Sequence, residues 1–251
     1  AKGVPEGSLI YEGLVTRTRD KDHIGWLATS WEPSADGMTW TFHIPEGATW
    51  HDGEPVTASD VVFSYDYLKE KGLKNSGVLK HVTSVEPLDD TTVVYYCDCC
   101  MPLFPDILST GPGVAIFPEH IWSVIENPAK QSDPEYIGSG PFKYVSSVSG
   151  DSYKMEAYGN YHGTLPYVDK VVRKLYSSQD AQILALKKGE VDYVYDLAPA
   201  TARSLRGEKG IGVTQIPAGG KAYEVAFTCD VYPANITEFR QALSHAVNRN
   251  A

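Results

Sequence analysis

The chain has 251 residues, a formal net charge of −10 and a pI near 5.1. That length holds one large domain or two smaller ones and buries a sizeable core. The acidic balance argues against a nucleic-acid backbone or an anionic lipid surface as the main partner, and no apolar run approaches the roughly 18–20 residues that span a bilayer. In chain order, residues 37–44 alternate as a strand, with Trp40, Phe42 and Ile44 on one face and Thr39, Thr41 and His43 on the other. Asp52-Gly53 marks a turn, because glycine relieves the steric cost of a left-handed position. A helix starts shortly after it. Thr57 is a good N-cap, Asp60 stands three residues on in the positive field of the first turn, and Val61, Val62, Tyr65 and Leu68 recur on one face. Gly72 is placed to end that helix. Residues 82–87 and 91–97 flank Asp89-Asp90 as a hairpin with β-branched and aromatic arms. Pro102 and Pro105 interrupt regular structure before a short helix near 103–109. Thr110-Gly111-Pro112-Gly113 then forms a loop, and Pro118-Glu119-His120 opens a helix through about Glu126.

After Gly138 the texture changes. Residues 142–148 and 152–158 predict a second hairpin around Ser149-Gly150-Asp151, and 169–176 another strand. Ser177 is placed to cap a helix that has Asp180 in its first turn, Lys187 and Lys188 at its negative end and Gly189 to close it. Strands are expected near 191–195, 211–216 and 222–228. A final helix carries Phe239, Ala242, Leu243, Ala246 and Val247 on one stripe. Strands and helices interleave without a strict βαβ rhythm, which predicts an α/β chain with mixed sheets.

The chain offers little for catalysis. It lacks the Gly-x-Ser-x-Gly elbow, the Gly-x-x-x-x-Gly-Lys-Ser/Thr loop and the Gly-x-Gly-x-x-Gly fingerprint. No catalytic residue is assigned, and Gly138-Ser139-Gly140 reads as a flexible crossover. The 16 Tyr and 5 Trp suit recognition of amphipathic ligands, although strand-rich chains also use aromatics for packing. Cys97-Asp98-Cys99-Cys100 supplies soft ligands that His81 or His120 could join. Yet this run lacks the two-to-four-residue spacing of zinc-binding cysteine pairs, and Cys229 stands alone. A strand that buries small thiols explains the run as well, so the expectation is no metal and no cofactor. His51, in the turn, reads as a hydrogen-bonded structural residue.

Several segments carry a resemblance. The run from Trp50-His51-Asp52-Gly53 to Phe63-Ser64-Tyr65, preceded by Ala28-Thr29-Ser30-Trp31-Glu32 and by Asp36-Gly37-Met38-Thr39-Trp40, resembles the signature of the family 5 extracellular solute-binding proteins. These are the oligopeptide-, dipeptide- and nickel-binding proteins of ABC importers. Leu9-Ile10-Tyr11-Glu12-Gly13-Leu14-Val15 is similar to the family's first segment, and Ile137-Gly138-Ser139-Gly140-Pro141-Phe142 to its glycine-rich crossover. Asn160-Tyr161-His162-Gly163, followed by Leu165-Pro166-Tyr167-Val168-Asp169, is similar to a further family run. So are the step from Leu184 to Tyr193 and the helix from Phe239 to Val247. The segments stand in the family's order.

The resemblance implies a periplasmic-binding-protein-like type II lobe built from 1–24 and 138–238, with an accessory domain inserted at 25–137. It implies that 239–251 begin the crossover to a missing C-terminal lobe, in an exported parent about twice as long that is often lipid-anchored. The expected role is periplasmic or extracellular capture of short peptides for a membrane permease. Nickel or metal-chelate binding stands as the alternative, and an enzyme built on Cys97, Cys99 and Cys100 as a weaker one. By resemblance, the ligand-facing residues are Tyr11, Glu12 and Gly13, the loop Thr110, Gly111, Pro112 and Gly113, and Thr228, where relatives often have Asn. Glu12 either accepts from a cationic group of the ligand or pairs with a neighbouring lysine.

Overall fold

The computed structural model describes residues 7–18, 22–72, 76–109, 114–128, 136–214 and 228–246. The chain divides into two units, Ala1–Leu197 and Ala198–Ala251. The first opens with α1 (Gly7–Ile10) and an antiparallel pair, β1 (Val15–Arg17) and β2 (His23–Gly25). The alternation at 37–44 then does what its period requires. β3 (Ser30–Pro33) and β4 (Thr39–His43) pair antiparallel, and Trp40, Phe42 and Ile44 are buried.

The signature run folds into a turn and α2 (Ala58–Glu70), ended by Gly72 at φ +57°. At its start the Thr57 N–H donates to Asp60 Oδ2 at 2.8 Å, and the Thr57 hydroxyl donates to the same oxygen at 3.1 Å. The carboxylate at N3, more than the threonine, therefore holds the cap. β5 (Val82–Asp89) and β6 (Thr92–Cys97) form the expected hairpin and complete an antiparallel sheet in the order β3-β4-β6-β5. β5 runs two residues longer than expected, and Pro87 is tolerated because β5 lies at the edge.

Trp40 stands opposite Tyr95 across the β4–β6 ladder. Phe42, Tyr95 and Phe104 meet edge to face with centroids 5.3–6.2 Å apart, the geometry ring quadrupoles favour. Phe104 opens α3 (Phe104–Leu108), where a short helix was expected. α4 (Glu119–Trp122) is shorter than the helix expected through Glu126. Past Trp122 the backbone turns inward: Ile125 is buried, and its carbonyl accepts from the Tyr67 hydroxyl at 2.8 Å.

Beyond Gly138, β7 (Phe142–Val148), β8 (Ser152–Ala157) and β9 (Lys170–Lys174) form a three-stranded antiparallel sheet. Gly150, at φ +76°, makes the turn between the first two. Ile10, Phe142 and Met155 pack as a separate small core. α5 (Gln179–Lys187) is capped by Ser178 and not by Ser177. Ser178 has the extended backbone of a cap, and its Oγ accepts from Ala181 N–H at 3.2 Å, so the second serine of the doublet does the work.

The strand expected at 191–195 does not form. A strand needs a ladder partner, and none of the described residues supplies one. Residues 211–214 are likewise irregular, and 215–227 lie outside the described residues.

The second unit contains α6 (Pro199–Leu205) and α7 (Thr237–Ala246). α6 was not anticipated, although Pro199 in its first turn is a recognisable start signal. α7 matches the expected final helix, but none of its residues is buried, and Val247 lies outside the described residues. No described helix is long and apolar enough to cross a membrane.

Candidate functional site

The segment Tyr11-Glu12-Gly13 links α1 to β1 and is bolted in from both sides. Ile116 N–H donates to the Glu12 carbonyl at 2.8 Å, and Leu27 N–H to the Gly13 carbonyl at 3.0 Å. The Tyr11 ring sits 5.9 Å from Phe117. A side chain at position 13 would meet the Val114 carbonyl at 3.1 Å, so glycine permits the close approach.

The Glu12 side chain is 0% exposed, and its carboxylate reaches no solvent in this chain. Tyr161 donates to its Oε1 at 2.7 Å. Its Oε2 lies 3.2 Å from Nε2 of the buried His162. That contact is not aligned as a hydrogen bond, and among the described residues Oε2, His162 Nε2 and the hydroxyl of buried Ser139 have no hydrogen-bond partner.

Burial pushes the Glu12 carboxyl up to about 8, outweighing the lowering by Tyr161 and by the nearby Ser139. Burial lowers His162, and burial with the adjacent Glu12 raises Tyr161. The cluster is thus a set of neutral polar groups in a dry setting. Among the described residues the groups at the Glu12 carboxylate are Tyr161 and His162, and no lysine pairs with it. Its neighbours Ser139, Tyr161 and His162 sit in the two segments that the resemblance marks at 137–142 and 160–163. The available signal was a lone carboxylate inside the apolar run from Leu9 to Val15.

A second convergence lies beside it. His51 N–H donates to the Gly138 carbonyl at 2.9 Å, Gly138 N–H donates to His51 Nδ1 at 3.3 Å, and His51 Nε2 donates to the Gly140 carbonyl at 2.9 Å. That pattern requires the Nε2–H tautomer. Gly140 N–H donates to the Ile10 carbonyl at 2.8 Å. The Tyr158 hydroxyl donates to the Trp50 carbonyl at 2.8 Å and accepts from Thr49 at 2.7 Å.

Thr110, Gly111, Pro112 and Gly113 lie outside the described residues. Thr228 is exposed and belongs to the second unit. All four cysteines are free thiols. Cys97 ends β6 and is buried, which with the neighbouring Cys99 and Asp98 raises its thiol to about 11, whereas Cys99 and Cys100 lie beyond the strand. Among the described residues, one group has three metal-ligating side chains within reach of one another: His81, Asp98 and Cys99.

A family model described as bacterial extracellular solute-binding proteins, family 5 Middle, matches residues 23–251. The chain belongs to that family. It is 32% identical over 234 residues to a putative ABC transporter peptide-binding protein of Brucella ovis, covering 91% of this chain and 43% of the relative. It is 26% identical over 245 residues to the dipeptide-binding protein of Escherichia coli, covering 90% and 46%. The structure of the binding protein MoaA from A. tumefaciens R10, in complex with mannopinic acid, matches with a TM-score of 0.76 at 28% identity, over 96% of this chain and 50% of that one. The chain therefore spans less than half the length of the curated relatives it matches. Its mixed α/β architecture is that of a periplasmic binding protein over the part it covers. Family 5 members are solute-binding proteins of ABC transporters and not enzymes.

Proposed function

We propose that this family 5 chain is part of the extracytoplasmic receptor of an ABC importer, which captures short peptides and delivers them to a membrane permease. The observation that carries this reading is the match over 91% of the chain to a peptide-binding relative. A dipeptide-binding relative aligned over a similar span supports it. In this reading residues 1–24 and 138–238 form the ligand-bearing lobe, and residues 25–137 the inserted domain. Tyr11 and Gly13, the loop 110–113 and Thr228 face the ligand. Glu12 acts one step back, as the buried anchor of the Tyr11–Gly13 segment, and a lipid anchor on the whole protein would hold the receptor at the membrane.

A ligand enclosed between two lobes exchanges its water for protein partners on both sides. A chain that supplies one side leaves the other in water. Losing three or four net hydrogen bonds at about 1 kcal/mol each weakens binding by roughly two to three orders of magnitude. Calorimetry of the 251 residues and of the whole protein, against a library of di- to pentapeptides with opines and nickel chelates as comparators, tests this. The expected result is tight peptide binding by the whole protein and weak binding by the shorter chain. Preference of the whole protein for an opine or a chelate would refute the peptide assignment. Equal tight binding by both chains would refute the placement of the cleft.

A further inference from the structure

The open end of the β5–β6 hairpin assembles a donor set that spacing along the chain does not display. Val82 pairs with Cys97, and one residue outward the Asp98 N–H donates to the His81 carbonyl at 2.9 Å. The two side chains of that pair also meet, with His81 Nδ1 2.9 Å from Asp98 Oδ1. Cys99 follows, its thiol within 4.8 Å of the Asp98 carboxylate. One ligand atom from each of His81, Asp98 and Cys99 lies within 4.8 Å of the other two. We propose that His81, Asp98 and Cys99 form a surface site for a divalent transition-metal ion of borderline softness, with zinc as the type, leaving the fourth position to water.

The chemistry selects the class of ion. One imidazole nitrogen, one thiolate and one carboxylate oxygen form a mixed set that suits zinc, cobalt or nickel. Calcium and magnesium prefer six or more oxygens. A tetrahedral zinc holds such donors at about 2.0–2.3 Å, which places them roughly 3.4 Å from one another. The present arrangement reaches that geometry when the His81–Asp98 contact opens slightly and Cys99 closes in. The backbone beneath His81 and Asp98 is fixed by the ladder and by their own hydrogen bond, so side-chain rotation suffices. On binding, Cys99 Sγ gives up its proton to solvent and the imidazole binds in its neutral form. No oxidant or reductant is involved.

This departs from the absence of metal expected from the run Cys97-Asp98-Cys99-Cys100. That run has the wrong spacing for a cysteine pair, but the site uses only one of its cysteines and takes its histidine from across the hairpin. The proposal does not depend on which solute the protein carries.

The test is zinc binding to the reduced, metal-free chain, followed by competition with a chromophoric chelator. Cobalt(II) is the spectroscopic probe, because a thiolate ligand adds a charge-transfer band. The expected result is one ion per chain with low-micromolar affinity and a thiolate–cobalt band. Cys99→Ser should abolish the band, and Cys99→Ser and His81→Ala should each weaken zinc by at least about tenfold. Cys100→Ser should change neither reading. Far-UV circular dichroism of each variant checks that the fold is kept. Absence of zinc binding, or equal affinity in Cys99→Ser, His81→Ala and the parent, would overturn the proposal.

Discussion

Replacing Glu12 by Gln isolates the energetic consequence of its burial. The carboxyl has a reference value of 4.5 and is pushed up to about 8 in the folded chain, chiefly because no water solvates its charge. The folded state therefore binds a proton that the unfolded chain has released. Stability falls as pH rises from the unfolded value towards the folded one, and levels off beyond it. At about 1.4 kcal/mol per pH unit, the cost reaches roughly 3 kcal/mol at pH 7. Gln is nearly isosteric and cannot ionise. Its carbonyl can still accept from Tyr161, and its amide can donate toward His162 Nε2, which has no hydrogen-bond partner among the described residues. His162 contributes the opposite slope: burial lowers it, so stability falls when pH drops through its unfolded value of 6.5. An amide N–H donated to Nε2 in the variant holds His162 lower still, which changes the difference in the same direction as the loss of the carboxyl. Urea unfolding of the parent and Glu12→Gln at about pH 5.5 and 7.5 is the assay. The stability difference, variant minus parent, should grow in favour of Gln by about 2.5 kcal/mol between the two pH values. A difference independent of pH would refute the reasoning, because it would mean that the carboxyl does not change its proton affinity on folding.

At the start of α2, Thr57→Ala should cost less than about 1 kcal/mol, whereas Asp60→Ala should cost about 2 kcal/mol or more. The Asp60 carboxylate accepts from Thr57 N–H, from the Thr57 hydroxyl and from Glu119 N–H at 2.9 Å, and equal denaturation midpoints for the two variants would contradict this. Gly138→Ala would place its Cβ 2.0 Å from the Ile10 carbonyl oxygen, a backbone overlap that no rotamer relieves. It should lose about 3 kcal/mol or more, while Gly77→Ala, which meets nothing within 4 Å, stays within about 0.5 kcal/mol in the same urea titration. Ser178→Ala should cost about 1 kcal/mol and Ser177→Ala almost nothing, a contrast that thermal unfolding can read.

Elements whose information is local were legible in the sequence. β4, the β5–β6 and β7–β8 hairpins and α2 follow from alternation, turn residues and caps that act within a few positions. The cap of α5 was misplaced by one residue because Ser177 and Ser178 are chemically identical, and only the backbone angles distinguish them. The expected strand at 191–195 has the aromatic composition of a strand. Composition, however, does not supply a ladder, and Tyr193 and Tyr195 instead stack on each other in the open, with Arg173 donating to the Tyr195 hydroxyl. Glu12 stands out as a carboxylate in an apolar run, but its partner Tyr161 is 149 positions away, beyond the reach of any local pattern.

Several of the segments that carry the family resemblance meet one another. Ile10 and Glu12 come from the first segment, Trp50 and His51 from the signature turn, Gly138 to Gly140 from the glycine-rich crossover, and Tyr161 and His162 from the Asn-Tyr run. They join through backbone carbonyls, one buried carboxyl and the two nitrogens of His51. Such a joint tolerates little change. Gly138 and Gly140 press on Ile10 too closely for any side chain, His51 must keep its proton on Nε2, and Glu12 must stay neutral to stay dry. A ligand pocket has no such internal requirement, since its side chains answer to whatever solute it holds. Motifs of this kind therefore identify the architecture strongly and the solute weakly. Changes in the loop 110–113 or at Thr228 should consequently alter ligand preference while leaving stability within about 0.5 kcal/mol, and changes at Glu12, His51 or Gly138 should do the reverse. Parallel measurement of peptide affinity and urea midpoint on the whole protein separates the two groups. A ligand-selective effect at Gly138, with stability intact, would show that the joint is part of the pocket after all.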